Sequence, residues 1–136
     1  TTHISLWKKY LGDGVEIING DKPIIQFTEN GAVIHSTPYA GKEGCQNHSC
    51  APLKAICIVN RGEINTIEKI DFGEHLSDVF KQVYRPYDTN ATLKTLELFN
   101  KLSKIPLYLL KCDISQEAVE TSFEALSGLS YNDCKL

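Results

Sequence analysis

Apolar residues fall at positions 4, 7 and 11 of the opening dozen, with Leu6 and Tyr10 beside them. That spacing predicts a helix over residues 1–11, stopped by Gly12. Val15, Ile17 and Ile18 follow as a β-branched run, read as a short buried strand that breaks off at Gly20-Asp21 and Pro23. Alternation then predicts two strands, residues 24–28 and 32–36, joined at Glu29-Asn30-Gly31. Residues 37–52 read as a loop rich in Gly, Asn, Ser and Pro. The apolar run 53–60 reads as a central strand, and 64–70 as a half-buried one. Positions 72, 76, 79, 80 and 83 predict a helix ended by Arg85-Pro86. Asn90 is the expected cap of the next helix, whose stripe Leu93, Leu96, Leu98, Phe99 and Leu102 is expected in the core. Residues 106–112 predict another buried strand, Ser115 and Glu117 open a last helix through Leu126, and 128–136 is expected to fray. Strands in the first half and helices in the second give an α/β fold, one domain over 1–136 with a mixed β-sheet and flanking helices.

Composition narrows the function classes. The 42% hydrophobic and 23% charged content is that of an ordinary globular protein. A net charge of −3 provides no basic footprint, which argues against nucleic-acid binding. No apolar run approaches the roughly 20 residues of a membrane span, and no leader pattern is visible. Five cysteines, an odd number at scattered spacing, suggest free thiols in a reducing, cytoplasmic setting. The absence of methionine, even at position 1, reads as a processed chain or a fragment.

Candidate chemistry begins at Asp21. A carboxylate just past the end of a buried strand is where open α/β sheets place their reactive groups, and it is also an ordinary turn or capping residue. Lys42, Lys54 and Arg61 are candidate contacts for phosphate or an anionic substrate, or else solvated charges. The stretch Cys45-x-x-His48-x-Cys50, with Cys57 or His35 as a fourth ligand, could hold zinc, although its spacing matches no standard knuckle. Cys57 and Cys112 lie inside apolar strands and read as core residues, as does Trp7.

Several segments in order resemble the P-loop kinases of the HPr kinase and phosphoenolpyruvate carboxykinase type. These are Thr1-Thr2-His3 opening a helix with Leu6-Trp7, then Ile18-Asn19-Gly20-Asp21-Lys22-Pro23 and Ser36-Thr37-Pro38-Tyr39-Ala40-Gly41-Lys42-Glu43. Ala51-Pro52-Leu53-Lys54-Ala55-Ile56, Arg61-Gly62-Glu63-Ile64-Asn65, Tyr84-Arg85-Pro86 and residues 106–112 extend the match to about Leu126. The resemblance implies a partial nucleotide fold, C-terminal to the glycine-rich loop and its lysine. It implies ATP or GTP with magnesium or manganese, with Thr1, Thr2 and His3 on the cofactor side. Thr1 and Asp21 are then the metal residues, and Asp21 is the catalytic acid or base. Lys42, Lys54, Arg61 and Tyr39 are implied substrate contacts, Tyr39 standing where relatives often carry Trp. The family usually has two adjacent acids where this chain has Gly20-Asp21. The implied partners are a nucleotide and a small anionic substrate or phosphoacceptor protein, with self-association left open. A non-catalytic binding or regulatory module of the same fold, and a small zinc-dependent interaction domain, stand as alternatives.

Overall fold

The order of elements follows the hydrophobic pattern closely, and the computed structural model describes residues 1–39, 41 and 48–134. Helix α1 (Thr2–Leu11) is followed by a 3-10 turn (Gly12–Gly14), then β1 (Ile24–Thr28), β2 (Gly31–His35) and β3 (Cys50–Pro52). The second half runs β4 (Ile56–Arg61), β5 (Thr66–Ile70), α2 (Leu76–Lys81), α3 (Thr89–Leu102), β6 (Leu107–Cys112) and α4 (Gln116–Ser127), then a 3-10 turn (Tyr131–Cys134).

The fold is α/β, but its strands form two sheets of three. One is the antiparallel β1-β2-β3; the other is mixed, in the order β4-β6-β5. β6 pairs parallel with β4, Ile56 opposite Leu107 through Arg61 opposite Cys112, and antiparallel with β5. The central strand of the mixed sheet is therefore β6. The segment 53–60, expected in the centre, supplies an edge strand that leaves Val59 47% exposed.

Three layers result. On one face of the mixed sheet, Ile56, Ile58, Ile70 and Leu107 pack against Phe72, Val79, Phe99 and Leu102, joined by Ile25 and Phe27 of β1. On the other face, Cys57, Ile67, Leu110 and Cys112 meet Ala118 of α4. Alternation along β6 sends successive side chains to opposite layers, so a single strand organises both halves of the core. Helix α1 lies outside α4, with Trp7 edge-on to Phe123 at a centroid distance of 5.7 Å.

Four further expectations need correction. Residues 15–18 form no strand; β-branched residues state only a fit to a half-buried pleat, and no pairing in either sheet includes this run. The helix expected over 72–84 is only α2, because the Asp71 carboxylate accepts bonds from the Gly73 and Glu74 amides at 2.8 and 3.2 Å and holds the chain in a turn. The cap of α3 is Asp88, accepting from the Ala91 amide at 2.8 Å, rather than Asn90. The segment expected to fray is anchored as far as Cys134 by Tyr131, which is 2% exposed and sets its ring edge-on to Phe123.

Candidate functional site

The first turn of α1 meets the C-terminal ends of parallel strands β4 and β6. Thr2, His3 and Leu6 from the helix, Val59, Asn60 and Arg61 from β4, and Cys112, Asp113 and Ile114 from β6 and its turn enclose a concavity of about 100 Å³. Its position has a physical reason. The free amides of a helix start carry partial positive charge, and parallel strands deliver the loops after them to one edge of the sheet.

Thr1 is the N-cap of α1, and its side chain makes no capping hydrogen bond; its carbonyl accepts from the Ser5 amide at 3.0 Å and the Ser5 hydroxyl at 3.1 Å. Arg61, the last residue of β4, is exposed and joins no ion pair among the described residues. A free guanidinium beside uncapped helix amides is suited to a phosphate or carboxylate.

His3 faces inward as well. Its Nε2 lies 3.0 Å from the Ser122 hydroxyl, and the Trp7 indole N–H donates to Ser122 at 2.9 Å and reaches His3 Nε2 at 3.1 Å. Its Nδ1 is 3.9 Å from the Cys112 sulfur. Burial holds the imidazole below its ordinary pKa of 6.5. Ser122 is 1% exposed, and its hydroxyl lies within bonding distance of the Ala118 and Val119 carbonyls. The His3–Trp7–Ser122 cluster thus fastens α1 to α4 and fixes where the first turn sits.

Asp113 also lines the concavity, and no motif in the sequence singled it out. The rule applied to Asp21, an acid directly after a buried strand, points here too, because β6 is such a strand. The Asp113 carboxylate is already engaged, accepting from the Ser115 amide at 2.9 Å and the Ser115 hydroxyl at 2.5 Å. Those bonds hold it below the usual carboxylate range. Its backbone amide donates to Asn65, whose side chain also reaches Ser115 and Glu117. This network sets the start of α4.

Asp21 and Tyr39 belong to a second group, beside the antiparallel sheet. The Lys22 amide donates to the Tyr39 carbonyl at 3.2 Å, the Thr37 hydroxyl donates to the Lys22 carbonyl at 2.7 Å, and Asn19 donates to Thr37. The Asp21 carboxylate makes no hydrogen bond or ion pair among the described residues. Gly41, at φ +68°, comes so close that a β-carbon there would sit 3.2 Å from that of Asp21. No described hydrogen bond joins this group to Thr1, Thr2, His3 or Arg61.

Other candidates fall elsewhere. Lys54 precedes β4, whereas Arg61 ends it, so the two are separated by about 17 Å of strand and cannot share a small anion. Lys42 and Cys45 lie outside the described residues. His35 and Cys50 are cross-strand partners, with His35 Nε2 3.0 Å from Gln26 Oε1, but among the described residues no three metal-ligating side chains converge. Cys57 points into the layer beneath α4, where burial pushes its thiol up to about 11.

Comparison with protein-family models, curated proteins and solved structures finds no match to this chain. No helix among the described residues is long and apolar enough to cross a membrane.

Proposed function

We propose that this chain supplies part of a nucleotide-dependent phosphoryl-transfer site in a protein resembling phosphoenolpyruvate carboxykinase or HPr kinase. The first turn of α1 and Arg61 hold the phosphates of ATP or GTP. Asp21 takes the magnesium or manganese ion with Thr1, or acts on the attacking hydroxyl of a small anionic substrate or phosphoacceptor protein. One observation carries this reading: the Arg61 guanidinium, in no ion pair among the described residues, shares a concavity with Thr2 and His3 at a helix start whose cap residue makes no side-chain capping bond. The metal part of the reading rests on the Asp21 carboxylate alone. Hydrated magnesium keeps several waters and takes one or two carboxylates, and Asp21 offers one that no described side chain occupies. The ion supplies charge neutralisation on the phosphates; orientation comes from Arg61 and the amides.

The test uses the full-length gene product, which this reading expects to carry a glycine-rich loop and lysine before Thr1. Arg61→Ala is expected to lower nucleotide turnover on the order of 10²-fold, with partial recovery in Arg61→Lys. Asp21→Asn is expected to lower turnover and to raise the magnesium concentration needed for half-maximal turnover. Unchanged turnover in both variants overturns the proposal. A second reading, a binding or regulatory module, draws on the single acid of Gly20-Asp21 where two adjacent acids are usual; it predicts nucleotide binding with no turnover on any acceptor.

A further inference from the structure

The last described residues fold back over the junction of α1 and α4. After Gly128 closes α4, Glu124 Oε1 accepts from the Tyr131 amide at 3.0 Å. The Tyr131 hydroxyl donates to the Tyr10 carbonyl, in the last turn of α1, at 3.4 Å, so one residue touches both helices. Its ring begins an edge-on series of aromatic contacts. Tyr131 meets Phe123 at 6.2 Å between centroids, Phe123 meets Trp7 at 5.7 Å, and Trp7 meets His3 at 6.4 Å. The series ends at the concavity, because His3 lines it with Thr2 and Arg61.

Helix α1 depends on such anchors. None of its side chains is fully buried, whereas Tyr131 is 2% exposed. An element with so little buried surface opens at lower free energy than the core it rests on, and a helix of 10 residues released from its partner is marginal in water. His3 and Trp7 hold its first two turns to Ser122, and Tyr131 holds its last. We infer that Tyr131 is a positioning residue for the α1 site: through Phe123 and Trp7 it keeps α1 docked on α4, with Thr2 and His3 beside Arg61. This rests on the reading of that first turn as a phosphate-binding element. A chain whose α1 is undocked does not present the turn and Arg61 together, so its apparent affinity for phosphate falls with the docked fraction.

Calorimetric titration of the full chain with inorganic pyrophosphate and magnesium tests this, with the emission of Trp7, the chain's one tryptophan, as the report on docking. Tyr131→Ala is expected to weaken pyrophosphate binding on the order of tenfold and to shift Trp7 emission to the red. Tyr131→Phe, which keeps the ring against Phe123, is expected to bind within about twofold of the wild type. Leu102→Ala, a cavity in the opposite layer of the core, controls for general loss of stability and should leave both readouts unchanged. Circular dichroism checks that Tyr131→Ala stays folded; should it not, Tyr131→Leu, which keeps apolar volume but loses the ring edge and the hydroxyl, decides. A wild type that does not bind pyrophosphate removes the phosphate-binding reading and the inference with it. A wild type that binds, alongside a folded Tyr131→Ala that binds as tightly or a Leu102→Ala that weakens binding equally, overturns the inference alone.

Discussion

Ser122 sits at the junction of α1 and α4, accepting from Trp7 and touching His3. Ser122→Ala deletes that acceptor from a buried position and is expected to cost about 1 kcal/mol, read as a lower urea midpoint at unchanged slope. His3 adds a pH signature. Its folded pKa lies below 6.5, so the native state binds fewer protons than the unfolded chain in the interval between the two values. Stability is therefore full above pH 6.5 and falls as pH drops through that interval. Denaturant midpoints between pH 8 and 5 should show the decline in the wild type and a flatter profile in His3→Gln; equal profiles would remove His3 as its source. The sequence marked His3 as a candidate but not its partner Ser122, because a contact across 119 positions has no local signature. Asp113 escaped notice for a different reason. The strand-then-acid rule was legible, yet nothing local distinguishes the run that enters a described sheet from 15–18, which enters neither.

Individual elements were the most readable level. Gly12 after α1, the turn at Glu29-Asn30-Gly31 and Ser115 ahead of α4 all do what their chemistry suggests, with Ser115 accepting from the Ala118 amide; Gly128, read in the sequence only as the start of a fraying tail, closes α4 at φ +72°. Gly128→Ala forces a side chain into that left-handed conformation and should cost about 1 kcal/mol. Asp88→Ala should cost a similar amount by uncapping α3. Thermal unfolding measures both, and a wild-type transition in either would show that the cap contributes nothing. The misplaced boundaries share a cause. Asp71 and Asp88 bind nearby amides through their side chains and so decide where helices begin, whereas apolar spacing records only which positions face inward.

At the scale of the molecule, the α/β class was legible, but its division into two sheets and the central place of β6 were not. Sheet order depends on pairings between distant segments, such as β4 with β6 across five tens of residues or so. The same gap explains α3: its stripe forecasts burial, while the packing leaves Leu93 and Leu96 exposed. The proposed phosphate site lies at the other end of the sheet, where α1, β4 and β6 enclose the concavity that Arg61 lines. The most direct test of that assignment is a backbone amide titration of this chain by NMR with inorganic pyrophosphate and magnesium. Saturable shifts at Thr2, His3 and Arg61, lost in Arg61→Ala, are the predicted result. Shifts scattered over surface lysines, or none at the start of α1, would contradict it.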